Sequence, residues 1–273
     1  MGHHVQLEFA SKTDTGLVRP HNEDFIAVSP RLGFVILADG MGGYSAGEVA
    51  SSIATTVIQE TFEEQLPLQF KEGGHKLGKQ LQQVVQEAVA RANASILEAA
   101  MIEPQFAGMG TTVVVGVFHG DKIIFAHVGD SRAYRFREGA LEQITRDHSL
   151  LQEQIDAGLI SPEAAQNSPN KNLITRAVGV DREIEIEVHE HPSKPGDIYL
   201  LCSDGLSDML SVAEMTLILT AQGGDLDTAC TALIAGANQH GGKDNISAIL
   251  AKVAAIDVPK TTPLDRILNL FRK

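Results

Sequence analysis

Thr111-Thr112-Val113-Val114-Val115-Gly116-Val117-Phe118, then His119-Gly120-Asp121, then Lys122-Ile123-Ile124-Phe125-Ala126-His127-Val128, is the stretch on which the fold class turns. Both flanks are short, apolar and rich in β-branched residues, and a three-residue connector containing glycine separates them, which reads as a β-hairpin. A third run over 133–137 reaches the turn Glu138-Gly139, after which 141–144 can return. Successive hairpins make an antiparallel meander.

Further strands follow from the same signals. Phe34-Val35-Ile36-Leu37-Ala38 is an apolar run that stops at Asp39 and reads as a buried strand delivering that carboxylate. Residues 183–188 alternate Glu and Ile/Val, so Ile184, Ile186 and Val188 are expected inward and the three glutamates in water. Residues 198–202 form another buried strand ending near Asp204, and 246–253 follow Asp244 and Asn245 directly. Helical periodicity marks 47–62 (Val49, Ile53, Val57 with Ala50, Ala54, Ile58), a longer stripe from Leu77 to Ala99, and Leu226, Ala229, Cys230, Leu233, Ile234, Ala237. Long helices with one apolar face plus antiparallel hairpins imply an α+β domain of sheets covered by helices. The stretch 147–180 is less regular, with a short helix expected from 150 to 157 and then a surface excursion.

Composition narrows the function. The 273 residues, 43% hydrophobic, suffice for one large core. A net charge of −13 argues against nucleic acid, whose phosphates demand clustered Lys and Arg. No apolar run reaches the 18 residues of a membrane span, and the two cysteines, Cys202 and Cys230, sit in apolar stretches. A cytoplasmic protein acting as a monomer, away from membranes, is expected.

Four acidic, turn-like segments recur: Asn22-Glu23-Asp24, Asp39-Gly40-Met41-Gly42-Gly43, Ser203-Asp204-Gly205 and Gly242-Lys243-Asp244-Asn245. Singly, an Asp-Gly pair is an ordinary turn. Jointly, aspartates at strand ends far apart in sequence suit a hard divalent cation, which takes oxygen ligands. Rival phosphate chemistries fail on the letters. Gly40-Met41-Gly42-Gly43 lacks the Gly-Lys-Ser/Thr of a P-loop. A cysteine phosphatase needs an arginine six positions after the thiolate; this chain has Asp208 after Cys202 and Gly236 after Cys230.

Arg19-Pro20-His21-Asn22-Glu23-Asp24, Asp39-Gly40-Met41-Gly42-Gly43, Gly110-Thr111-Thr112, Val128-Gly129-Asp130-Ser131-Arg132, Cys202-Ser203-Asp204-Gly205-Leu206 and Asp244-Asn245 together resemble the ordered motifs of the bacterial-type PP2C family of metal-dependent serine/threonine protein phosphatases. Thr145-Arg146-Asp147-His148-Ser149 and Thr175-Arg176-Ala177-Val178-Gly179 resemble two more. The resemblance implies a four-layer α-β-β-α sandwich of two antiparallel sheets over residues 5–254, with a tail at 255–273. It implies Mn²⁺ or Mg²⁺: Asp39 bridging two ions, the Gly40 carbonyl completing the first, Asp204 and Asp244 holding the second, and Asp130 with Asp204 supporting a third. Two such ions share a water that attacks phosphorus in line. Arg19 matches the family's phosphate-binding arginine, while Glu23, Asp24 and Asn245 match positions that support the ligands.

The implied substrates are phosphoproteins carrying phosphoserine or phosphothreonine, including a serine/threonine kinase or its targets. Relatives carry a histidine for the leaving group either directly after Asp-Gly or after Gly-Met-Gly-Gly; here those positions are Met41 and Tyr44, with His21 as a substitute to weigh. The stretch 152–171 matches the family's flap. Leu264, Ile267, Leu268 and Phe271 form an amphipathic stripe in the tail, to pack on the domain or dock a partner. The alternative function is a non-catalytic phosphoprotein-binding module on the same scaffold.

Overall fold

The computed structural model describes residues 4–43, 45–74, 76–161, 164, 173–222 and 224–257. The tail stripe, Tyr44 and residues 162, 163 and 165–171 of the flap segment lie outside them.

Among the described residues the chain runs β1 (His4–Asp14), β2 (Asp24–Ser29), β3 (Phe34–Met41), α1 (Ala46–Glu72), α2 (Leu77–Ile102), β4 (Gly110–Thr111), β5 (Val113–His119), β6 (Lys122–Val128), β7 (Arg132–Arg137), β8 (Ala140–Gln143), α3 (Leu150–Asp156), β9 (Glu187–Pro192), β10 (Ile198–Cys202), α4 (Asp204–Ser207), α5 (Val212–Ala221), α6 (Leu226–Gln239) and β11 (Ile246–Asp257). One sheet has the order β1-β11-β10-β7-β8 and the other β2-β3-β5-β6-β9, with β4 added to β3. Every strand pairing is antiparallel, the β5–β6 hairpin included.

Strand alternation sorts side chains into three cores. Phe34, Ile36, Val113, Val115 and Ile124 face α1 and α2, meeting Ala54, Ile58, Phe62, Val85 and Ile96. Leu200, Ala248 and Leu250 face α5 and α6, meeting Met215, Leu219, Cys230 and Leu233. Val35, Leu37, Phe125, Tyr199, Leu201 and Ile249 fill the space between the sheets. The layers are therefore α-β-β-α.

Three sequence expectations need correction. The strand expected to stop before Asp39 continues to Met41, because β4 pairs Thr111 with Gly40 and Gly110 with Met41; Asp39 lies within the strand, not at its end. The helix expected over 47–62 extends to Glu72 through Pro67. The proline removes one backbone bond, but fully buried Leu66 and partly buried Phe70 keep the last turns on the core. The strand expected over 183–188 begins only at Glu187, where pairing with His127 starts, and runs to Pro192. Ile184, Ile186 and Val188 do pack inward, and Glu183 and Glu185 are exposed. Glu187 is also part-exposed, and its carboxylate in addition contacts His148.

Candidate metal centre and phosphate site

All the acidic motifs meet at one end of the sandwich. β2 starts at Asp24, β3 carries Asp39, the β6–β7 connection carries Asp130, β10 leads into Asp204, and Asp244 precedes β11. Antiparallel pairing places Asp24 directly opposite Asp39. Asp204 opens α4, and Asp208 lies one turn on.

The backbone around each carboxylate is fixed by hydrogen bonds across great sequence distance. The Asp39 carbonyl accepts from the Thr112 N–H and the Thr111 hydroxyl, both at 2.8 Å, and the Thr112 hydroxyl accepts from the Asp39 N–H at 3.3 Å. Thr112 and Ser131 hydroxyls meet at 2.7 Å, tying that frame to the Asp130 loop. The Ser203 hydroxyl donates to Asp24 Oδ2 at 2.8 Å and accepts from the Ser247 N–H at 3.0 Å. Arg132 and Asp147 form a bidentate pair below the Asp130 loop, with Arg132 Nη2 to Asp147 Oδ2 at 2.5 Å. Ser203, Thr111, Thr112 and this pair were visible only as motif letters; nothing local in sequence assigns them these roles.

Asn245 clamps the segment carrying Arg19. Its Oδ1 accepts from the Glu23 N–H at 2.8 Å, while its Nδ2 donates to the carbonyls of Thr15 at 3.0 Å and His21 at 2.9 Å. Arg19 itself is half exposed and its Nη2 lies 2.6 Å from Asp244 Oδ2. That hydrogen bond is the main reason its pKa is raised. Glycine is required where motifs touch: a Cβ on Gly40 would lie 2.1 Å from the Gly47 carbonyl oxygen, and one on Gly205 would lie 2.0 Å from that of Asn245. The Gly40 contact lets β3 and the start of α1 approach around Glu23.

Electrostatically the cluster is unbalanced. Burial first, and then the charges of Asp24, Asp204, Asp130 and Asp244, push the Asp39 carboxyl far above the carboxylate range. Asp204 is raised likewise by burial and then by Asp130 and Asp244. Burial lifts Asp24 to about 6 and Asp130 to about 6. Asp24 Oδ1 and Asp130 Oδ1 are buried without a hydrogen-bond partner. Carboxylates gathered this way with orphaned oxygens fit divalent cations, which would neutralise the repulsion and occupy the free lone pairs.

Comparison with known proteins agrees with this geometry: residues 19–250 match the protein phosphatase 2C family. The chain belongs to that family. Among curated phosphatase 2C relatives, the serine/threonine protein phosphatase PstP of Mycobacterium tuberculosis is 37% identical over 258 residues, covering 94% of this chain and 47% of PstP. The chain thus spans about half the length of that relative. The serine/threonine phosphatase stp of Listeria innocua is 37% identical over 244 residues, covering 88% of this chain and 94% of that protein. Among solved structures, the M. tuberculosis PstP crystal structure superposes with a TM-score of 0.82 at 36% identity, covering 91% of this chain and 99% of that one. The PstP catalytic domain in complex with two manganese ions gives 0.78 at 36% identity, covering 91% and 99%.

Of the leaving-group candidates, Met41 ends β3, and its thioether has no proton to give. His21 is exposed, and its fixed contact is the backbone carbonyl held by Asn245. Among the described residues no helix is long and apolar enough to cross a membrane. Cys202 and Cys230 are free and buried.

Proposed function

We propose that the chain is a metal-dependent protein phosphatase acting on phosphoserine and phosphothreonine, with a serine/threonine kinase or its targets among its substrates. The observation that carries this is the convergence of Asp24, Asp39, Asp130, Asp204 and Asp244 at one sheet end beside Arg19. Asp39 and the Gly40 carbonyl would hold a first Mn²⁺ or Mg²⁺, Asp39, Asp204 and Asp244 a second, and Asp130 with Asp204 a third. When bound, the ions would supply an acidified water as nucleophile for in-line attack on phosphorus.

The protein's own residues do the remainder. Arg19, charged at any working pH, forks the phosphate oxygens and sets the ester in line. Its ion pair with Asp244 keeps the guanidinium at the cleft until substrate competes for it. Ser203 holds Asp24 in a fixed rotamer, and Asn245 holds the Arg19 and Glu23 backbone. Free buried thiols and the acidic surface suit a cytoplasmic monomer.

Phosphate release from a phosphothreonine peptide, measured with Mn²⁺ and with chelator alongside peptide binding, separates this reading from a non-catalytic binding module. Metal-dependent turnover supports the enzyme. Peptide binding with metal present and no phosphate released supports the module.

A further inference from the structure

Behind the acidic site, β6, the turn preceding α3 and β9 bring together His127, His148 and Glu187, with one ligand atom from each lying within 4.8 Å of the others. The trio has the composition of a transition-metal site, but its hydrogen bonds oppose that use. A backbone N–H can only donate, so the 3.2 Å bond from the Gly129 N–H fixes Nδ1 of His148 as the acceptor. The ring proton is therefore on Nε2, 3.1 Å from Glu187 Oε2. His127 faces the Arg146 carbonyl at 2.8 Å through Nε2, so its proton is there too. The rings stack with centroids 4.7 Å apart and planes 21° apart. Neither Nε2 has a lone pair to offer an ion.

We propose instead that His148 is a positioning residue that ties the base of the 150–174 excursion to the acidic site, and that it does so only as a neutral imidazole. The inference rests on the phosphatase reading for what the site does. His148 joins Gly129 at two points, because its own N–H also donates to the Gly129 carbonyl at 2.9 Å. Its carbonyl accepts from the Thr175 N–H at 2.9 Å, the Leu150 N–H donates to Leu173 at 2.9 Å, and Ser149 bridges Ile174. The two ends of the excursion thus pair with each other over 148–150, and the Thr175 bond ends on His148 itself.

Gly129 passes the constraint on. At φ 107° it sits so close to Thr112 that a Cβ there would lie 2.6 Å from the Thr112 Cβ. Thr112 binds the Asp39 backbone, and the residue after Gly129 is Asp130. A shift of Gly129 therefore reaches Asp130 directly and Asp39 through Thr112.

Protonation would set an Nδ1–H against the Gly129 N–H, donor to donor. The groups facing the ring are His127 from β6, Glu187 from β9, and Arg176 and Glu185 from the returning stretch. Burial is the largest influence and lowers the His148 pKa; Glu187 opposes it and Arg176 adds to it. The balance disfavours the imidazolium, so the ring takes its proton at lower pH than an exposed histidine does.

The test compares wild type, His148→Asn, His148→Leu and Glu187→Gln on p-nitrophenyl phosphate with saturating Mn²⁺, between about pH 5.5 and 8.5. Asn places a carbonyl oxygen near the Nδ1 position and does not titrate. It should rescue most of the rate at the alkaline end and retain more of it than wild type at the acid end, by about threefold or more. Leu has no acceptor and should lose about tenfold at the alkaline end, with a raised Mn²⁺ half-saturation. Glu187→Gln removes the charge favouring the imidazolium and should move the acid limb to lower pH.

An acid limb identical in wild type and His148→Asn, or wild-type rates and Mn²⁺ half-saturation in His148→Leu, overturns the proposal. If the Leu variant does not fold, the Asn and Gln acid limbs decide. If wild type turns over no substrate, calorimetric Mn²⁺ affinity reads the positioning separately. Weakening in Leu but not in Asn supports it, and equal affinities refute it.

Discussion

Replacing Asn245 by alanine should cost both stability and phosphate binding. Asn245 is almost fully buried, and its amide makes three hydrogen bonds, to the Glu23 N–H and to the carbonyls of Thr15 and His21. At about 1 kcal/mol net for each, truncation should lower the unfolding free energy by about 3 kcal/mol, since no side chain replaces the partners. Asn245→Asp keeps the acceptor for Glu23 but loses both donors and sets a charge against two carbonyl oxygens beside Asp244. It should be at least as destabilised. Urea unfolding of the chelator-treated proteins reads the first effect. The second is inhibition by inorganic phosphate, which should weaken because the freed segment carries Arg19. A loss under about 1 kcal/mol with phosphate inhibition unchanged would refute the clamp.

Gly40→Ala forces a Cβ to within 2.1 Å of the Gly47 carbonyl, so β3 and α1 must separate; Mn²⁺ affinity, by calorimetry, should fall even where circular dichroism shows a folded chain. Asp147→Ala leaves the part-buried Arg132 without its bidentate partner and should destabilise by about 2 kcal/mol, while the Arg132→Met/Asp147→Leu double variant recovers part of it. In chelator-treated protein burial holds the Asp24 and Asp130 carboxyls at about 6, above their unfolded values, so the folded state holds those protons longer. Stability should then fall as pH rises from about 4 to 6, and Mn²⁺ should raise the melting temperature more at pH 7 than at pH 5.

The apolar periodicities made the layered α+β class legible: 113–119, 122–128 and 198–202 are strands, and the stripes of α1, α2 and α6 pack as expected. The misplaced boundaries have common causes. β9 starts later than the alternation over 183–188 suggests, because alternation defines a face, whereas pairing with β6 defines where the strand starts. Asp39 reads as a strand end because β4, which extends β3, is only two residues long. β1 carries no turn signal of its own although Leu7 and Phe9 alternate inward, since its pairing partner is β11, more than two hundred residues away. Motif order named the carboxylates. The contacts fixing them, Ser203 to Asp24 and Asn245 to Glu23, join residues 179 and 222 apart and leave no local pattern to read.

Phosphate release from a phosphothreonine peptide by Asp39→Asn, at saturating Mn²⁺ and beside wild type, tests the central claim most directly. Asn keeps the shape and removes the charge on the carboxylate assigned to both ions. The account predicts a folded protein whose turnover falls by about a thousandfold or more. Turnover within a few-fold of wild type, or wild-type turnover that survives chelation, would contradict it.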